Sequence, residues 1–199
     1  MNHIRTMLQS AAPASQPAFY VFVACFMLAA PWSSLAAAAA AAAEADGTAA
    51  HWRYQKLEFT YSGFTARYSC DGIEGKVREI LLSFGARKDL KIKATGCEQG
   101  GGQVASKIAW VATEFSSLAM GPDPDSADTL KAEWAKAQLA PNRPNFMGTG
   151  ECELVDAMRE LLQKGFALRN VTYRADCVPK HVSIADYSVN AEVLKPAAN

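Results

Sequence analysis

The sequence lacks a net charge, and this absence limits the partners that it can attract. Its 199 residues contain 20 Lys and Arg against 20 Asp and Glu, with only three His. Arg5 is the only one of these charges before Glu44, so removal of residues 1–43 leaves 19 basic and 20 acidic residues. A net charge of −1 is not the electrostatic footprint of a protein that binds nucleic acid or an anionic membrane surface. We therefore predict neither of these partners.

Cysteine spacing and the small number of histidines exclude several common sites. None of the five Cys forms a Cys-x-x-Cys pair, which excludes the usual zinc and thiol-redox motifs. His51 and His181 are the histidines beyond residue 43, too few to assemble a specific Ser-His-Asp or Cys-His arrangement. The two could share a metal with Met147 or a carboxylate, but isolated surface histidines are the simpler interpretation. We predict neither a metal nor a cofactor.

A long apolar segment is also missing. The apolar run at residues 18–30 is shorter than the ~20 residues of a transmembrane helix, and Pro31 ends it. A weakly basic start, this run and an alanine-rich tail are typical of a secretory signal peptide, which we place at residues 1–43. The alternatives are a lipid anchor at Cys25 and an uncleaved membrane anchor, but the run continues past the cysteine. Residues 44–199 then form a single periplasmic or secreted domain.

The remaining chain contains an internal repeat. One apolar helical face recurs 81 residues later, first as Ile73, Val77, Ile80 and Leu81 and then as Leu154, Met158, Leu161 and Leu162. After each helix comes an alternating run that ends in a cysteine, "DLKIKATGC" and then "NVTYRADC", as expected of a half-buried strand. Further candidate strands precede and follow each helix. The chain therefore reads as two βαββ units, residues 53–117 and 128–196, joined by the turn-rich "MGPDPDSAD".

The fold class follows from this order of elements. We predict an α+β fold in which two helices pack on one face of a shared, mixed sheet, ferredoxin-like or related. Residues 128–139 could equally begin a helix, but the repeat favours a strand. The apolar positions of "KLEFTYSGFTARYS" change parity at Ser62 and Gly63, which predicts a β-bulge there.

The four cysteines beyond residue 43 predict two disulfides. An even number in an exported chain indicates paired cysteines, and four allow three pairings. A right-handed β-α-β crossover returns each second strand to the edge where its helix began, which predicts Cys70–Cys97 and Cys152–Cys177. A strand inserted between the two parallel strands would separate them by about 10 Å, beyond disulfide reach unless the loops lean inward. Alternatively, Cys70 and Cys152 could be reactive thiols at helix N-termini.

Other segments have a functional and a simpler interpretation. Residues 96–103, "GCEQGGGQ", resemble a phosphate-binding loop only in their glycines, so a hairpin connection is favoured. Phe146 and Met147 form either a lid on the core or a contact surface. A calcium loop would use acids that lack the required spacing: Asp123, Asp125 and Asp128. A cationic patch, or only the solvated face of a strand, would contain Arg87, Lys88, Lys91, Lys93, Arg169 and Arg174.

The segments "YSCDGIEGKVREILLSFGARKDLKIKATGC" and "GECELVDAMRELLQKGFALRNVTYRADC" resemble a set of uncharacterised exported proteins of Gram-negative bacteria. This resemblance implies export and periplasmic residence but no activity. Our leading hypothesis is a non-enzymatic domain that binds a periplasmic protein or a small ligand through its sheet face or its loops. One alternative is an envelope hydrolase whose acids lie near the sheet edge, among them Asp71, Glu74 and Glu151. Another is a protein that handles a metal or redox equivalents.

Overall fold

The computed structural model describes residues 47–97, 108–122, 129–178 and 186–197, so the predicted signal peptide lies outside it. The segment at 128–139, for which a strand and a helix were both open, contains a strand. A short 3-10 turn at Thr149–Glu151 precedes the second helix. The elements in chain order are β1 (Thr48–Ser62), α1 (Cys70–Ser83), β2 (Lys91–Thr95), β3 (Ile108–Met120), β4 (Leu130–Leu139), α2 (Cys152–Gly165), β5 (Leu168–Asp176) and β6 (Asp186–Pro196).

The six strands form one antiparallel sheet in the order β2-β3-β1-β4-β6-β5. The prediction of a mixed sheet is therefore wrong. β3 lies between β1 and β2, and β6 lies between β4 and β5, so the strands that each helix connects are not neighbours. In each half, the strand after the helix, β2 or β5, pairs with the next strand, β3 or β6. This next strand lies between the two strands that the helix connects and is antiparallel to both of them.

Both helices cover the same face of this sheet, which makes an α+β fold of two layers. Their apolar stripes enter one continuous core with the inward side chains of the strands. The aromatic centre of the core is Phe166, which lies 5.3 Å from the Phe115 ring and 5.7 Å from the Phe84 ring. The opposite face of the sheet carries no helix in the described part of the chain.

The two halves of the sheet meet over a short joint. β1 pairs with β4 at only three positions, between Thr48↔Ala132 and Ala50↔Leu130. On the helix-free face a small apolar cluster covers this joint, because Trp52 and other half-buried side chains pack against four buried residues. Those four residues are Ala50, Leu118, Ala132 and Leu194. Both these three strand pairs and the packing of the apolar cluster therefore hold the joint.

The end of β1 differs from the sequence prediction. β1 runs to Ser62 in unbroken register with β3, so the predicted β-bulge at Ser62 and Gly63 is wrong. The chain instead turns at Gly63, where an added Cβ would lie 2.1 Å from the Ala66 carbonyl oxygen. The Tyr61 hydroxyl donates to the same carbonyl at 2.5 Å. The change of apolar parity marks the end of the strand.

Disulfides join Cys70 to Cys97 and Cys152 to Cys177, the pairing predicted from the crossover geometry. Their Cα–Cα distances are 5.2 and 5.5 Å. The inserted strand does not prevent these bonds, because Cys70 and Cys152 are the first residues of the helices and lie in the helix layer. Neither cysteine is a free thiol, so the alternative interpretation of Cys70 and Cys152 as reactive thiols is wrong.

Candidate ligand-binding face

The helix-free face of the sheet carries large aromatic side chains in contact with solvent. Tyr54 on β1 is 63% exposed and Trp110 on β3 is 56% exposed. Strand pairing continues in register from Ala50↔Met120 to Ser62↔Ile108, so both side chains project away from the helices. An aromatic side chain left in water on a sheet face is a candidate contact site.

Trp110 lies in a row with two hydroxyl side chains. Its direct cross-strand neighbours are Thr95 on β2 and Thr60 on β1. The next row along the strands has Ala112 on β3 between Lys93 on β2 and Glu58 on β1. Because Ala112 is small, these two rows surround a shallow depression of about 370 Å³.

A glycine determines how the Trp110 ring lies. Gly96, just after β2, has a φ of +79°, a conformation that other residues adopt only with strain. A Cβ added to Gly96 would lie 2.3 Å from Cζ3 of Trp110, so the indole rests directly on this turn. The absence of a side chain at Gly96 therefore allows the ring to lie at the end of the depression.

A second depression of about 200 Å³ continues along β3. Its lining includes Tyr54, Lys91 and Glu114. The Tyr54 hydroxyl and the Lys56 ammonium face the Glu114 carboxyl and hold its pKa below the usual value, the hydroxyl having the larger effect. Lys56 Nζ lies 3.5 Å from Glu114 Oε1. The two depressions follow one another along β3, and we call them together the track; an aromatic side chain lies near each end of it.

The corresponding place in the second half of the sheet has different chemistry. Trp52 pairs with Leu118 in the first half as Trp134 pairs with Leu194 in the second. Asp186 precedes Leu194 by as many residues as Trp110 precedes Leu118, so Asp186 occupies the position of Trp110. In the neighbouring strand, Arg174 occupies the position of Lys93, and Asp176 that of Thr95. These three residues form a network in which Arg174 lies 2.6 Å from Asp176 and 3.3 Å from Asp186. The aromatic depression therefore belongs to the first half alone.

The arginines of the predicted cationic patch pair with acids. The Arg87 guanidinium lies 5.9 Å from the Trp52 ring and pairs with Asp89, which holds the Asp89 pKa below its usual value. In the second half, Arg169 lies 4.6 Å from the Trp134 ring and 2.5 Å from a Glu192 carboxylate oxygen. Both arginines thus cover the tryptophans of the central cluster, and acids balance their charge.

The predicted acids have separate partners. Asp71 is exposed in the first turn of α1, whereas Glu74 Oε1 accepts a hydrogen bond from the Ala94 backbone N–H at 2.7 Å. Glu151 is 8% exposed and pairs through Oε1 with Lys76 Nζ of α1 at 2.9 Å. Glu151 Oε2 is buried without a hydrogen-bond partner in the described part of the chain. Glu74 thus connects α1 to β2, and Glu151 connects the start of α2 to α1.

The Lys76–Glu151 pair is part of a contact between the two halves. We call this contact the clasp; it is formed by Lys76, Phe146, Glu151, Glu153 and the backbone of Phe64 and Thr65. Lys76 Nζ also donates to the Phe146 carbonyl and lies 5.6 Å from the centre of the Phe146 ring. Glu153, in the first turn of α2, accepts hydrogen bonds from the backbone N–H groups of Phe64 and Thr65 at 2.8 and 2.9 Å. The start of α2 is thereby fastened to both α1 and the loop after β1.

The other predicted sites are dispersed or lie outside the described residues. His51 Nδ1 lies 3.0 Å from the Gly121 carbonyl oxygen, and Met147 is buried in the core. Phe146 is half-buried against that core, so its loop packs inward. Within the described ranges no group of three metal-ligating side chains comes together. The structure does not describe His181, Asp123, Asp125, Asp128 or residues 98–103.

The aromatic depression was missed from the sequence, although one signal was present. In "QVASKIAWVATEF" the inward positions of β3 are Ala109, Val111, Thr113 and Phe115. Trp110 falls in the opposite phase, where a half-buried strand usually carries polar side chains. Its neighbours Thr60, Thr95, Glu58 and Lys93 are far apart in sequence, and only the strand register brings them together.

Comparison with protein-family models, curated proteins and solved structures finds no match to this chain. In the parts of the chain described, neither helix has the length and apolarity of a membrane span. The face of the sheet must therefore be interpreted from its own chemistry.

Proposed function

We propose that this chain is an exported, non-enzymatic binding domain that holds its ligand on the helix-free face of the sheet, along β3. The observation that carries the proposal is the exposed Trp110 indole at the end of an open depression. Ligand sites combine apolar or aromatic surface with a few polar groups that fix orientation. Here Thr60, Thr95, Glu58 and Lys93 supply those polar groups.

Export is part of the same proposal. Two disulfides in a chain of this size are typical of proteins that fold in an oxidising compartment. The signal peptide predicted at residues 1–43 and the resemblance to exported Gram-negative proteins favour the periplasm. Cell fractionation followed by thiol titration tests this: we expect periplasmic protein without free thiols, and reduced cytoplasmic protein would contradict it.

We further propose that the two halves are copies of one βαββ unit, arranged as in ferredoxin-like folds. Each half has its third strand between the two strands that its helix connects. Trp52 with Arg87 and Trp134 with Arg169 are matched pairs at the same spacing of 82 residues. Related sequences should keep or lose these features in both halves together; relatives with a different element order in one half would argue against duplication.

Hydroxyl-radical footprinting tests whether the face binds a ligand. The purified protein is labelled with and without an extract of the cell envelope, and the modification of each aromatic side chain is measured. We expect protection of Trp110 and Tyr54, with Phe64 as the internal reference because it is 46% exposed in the loop after β1. Unchanged labelling of Trp110 and Tyr54, or protection centred on Phe64, would contradict the proposal.

A further inference from the structure

We infer that the ligand of this face is a neutral oligosaccharide, with one sugar ring stacked on the Trp110 indole. This inference rests on the proposed function and names the ligand class. A sugar ring presents a face of C–H groups, which packs on an aromatic ring, and hydroxyl groups around its edge that both donate and accept hydrogen bonds. The Trp110 depression offers a partner for each of these features.

The aromatic part of the match is the indole itself. Trp110 is 56% exposed on the helix-free face, and Gly96 beneath it leaves room for the ring to rest on the turn after β2. Trp52 and Trp134 differ from it in this respect, since both are half-buried and have arginines over their rings. Trp110 is therefore the tryptophan of the face that can present its ring to a ligand.

The polar part of the match comes from four side chains around the ring. Thr60 and Thr95 flank Trp110 with hydroxyl groups that can donate or accept. In the next row Lys93 can only donate and a Glu58 carboxylate can only accept. Two strand spacings separate these two residues, about 10 Å, with Ala112 between them. A ring with hydroxyl groups on opposite sides fits between such a donor and acceptor.

The charges of the depression favour a neutral ligand. Lys93 and Glu58 have opposite charges, so the site has no net charge to attract an ion. Farther along the track, Lys56 pairs with Glu114 and Arg87 pairs with Asp89, while Lys91, opposite Glu114, adds one cation in excess. At the Trp110 depression itself, a phosphorylated, acidic or basic ligand would therefore gain little from electrostatic attraction.

The geometry of the strand favours a chain of sugars over an extended peptide. Trp110 and Ser116, which pairs with Tyr54, are six residues apart along β3, or about 20 Å. Over residues 110–114 β3 is paired with a strand on each side, so its backbone groups are already hydrogen-bonded. A peptide laid along β3 would therefore find no free strand edge there for main-chain hydrogen bonds, which are its usual source of affinity on a sheet; the edge strand of this half is β2, one strand away.

The test measures binding of chitotetraose, cellotetraose and maltotetraose to the purified protein by isothermal titration calorimetry. We expect at least one of them to bind, and Trp110→Ala to weaken that binding about tenfold or more because the stacking surface is lost. Glu58→Ala leaves the tryptophan in place and should also weaken binding, so the test does not depend on the folding of the tryptophan variant alone. Arg174→Ala changes the corresponding position of the second half and should leave affinity unchanged. A rise in salt should have little effect on a neutral ligand.

The inference is overturned if none of the three sugars binds at millimolar concentration, or if binding is equal in wild type and Trp110→Ala. Footprinting with envelope extract separates this failure from failure of the proposed function. Protection of Trp110 that survives periodate treatment of the extract but is lost after protease treatment would indicate a peptide ligand; the face would then still bind, but the sugar assignment would be wrong. Without any protection, both proposals are wrong.

Discussion

The clasp between the two halves gives a quantitative prediction about stability. Lys76 Nζ and Glu151 Oε1 are 2.9 Å apart, and their side chains are only 17% and 10% exposed. Removal of one partner from a buried pair leaves an uncompensated charge and costs about 3–5 kcal/mol. In Glu151→Gln, Lys76 keeps the Phe146 carbonyl and ring, so we expect a loss near the lower end of that range.

Urea unfolding followed by circular dichroism measures this loss. The urea concentration at the midpoint of unfolding should fall. The slope of the unfolding free energy against urea concentration should stay constant, because the surface exposed on unfolding is unchanged. The double variant Lys76→Met with Glu151→Leu removes both charges and should recover most of the stability, since apolar replacement of a buried pair is often neutral. A double-mutant cycle then reports the coupling between the two side chains.

The matched control is Lys164→Met, which breaks an exposed pair with Glu160 on α2. Side chains in such pairs are solvated, so this variant should show no measurable change. The reasoning is refuted if Glu151→Gln loses less than about 0.5 kcal/mol, the ordinary range of a surface substitution. Equal losses in the Lys76→Met single variant and the double variant would also contradict it.

Three further predictions concern the fold. Replacement of Cys70 and Cys97 by serine opens a loop with a separation of 27 residues and should cost about 3.5 kcal/mol in chemical denaturation on the chain-entropy model; an unchanged midpoint would contradict this. Gly96→Ala should lower the melting temperature and change Trp110 fluorescence, because the added Cβ meets the ring and φ is positive; a variant that matches wild type in both would refute that account. Three tyrosines that are wholly or partly buried have a pKa raised, mainly by burial, above the ordinary 10.0, so the folded chain keeps protons that the unfolded chain releases. Stability should therefore be complete below pH 10 and fall as pH rises further, and absorbance at alkaline pH should show these tyrosines ionising only as the chain unfolds; ionisation of all of them in the folded state would contradict it. They are Tyr61, Tyr68 and Tyr187.

The sequence predicted the local elements and the disulfides because both depend on short-range patterns. The apolar stripe that includes Ile73 and Val77 marks α1, and a crossover of fixed handedness brings Cys70 to Cys97. The order of strands was not predictable in the same way. Which neighbour β3 would choose depends on side chains that meet only in the folded sheet, so a mixed sheet was predicted where an antiparallel one forms.

The candidate site shows the same limit more clearly. Trp110 could have been noticed as an aromatic residue in the outward phase of its strand. Its neighbours could not, because Glu58 and Lys93 lie 35 residues apart in the chain and meet through the register of β3 with two other strands. The acids chosen from the sequence were those near the helix starts, and the structure gives two of them, Glu74 and Glu151, joining roles.

The most direct measurement of the central claim uses the indole N–H resonances of the tryptophans. Beyond the predicted signal peptide the chain has Trp52, Trp110 and Trp134, so a nitrogen–proton correlation spectrum should show one indole signal for each. The protein is titrated with envelope extract and, separately, with the three oligosaccharides. We expect the Trp110 signal to move while the two signals beneath the arginines stay in place. Movement of those two with Trp110 fixed, or no movement at all, would contradict a ligand site on this face.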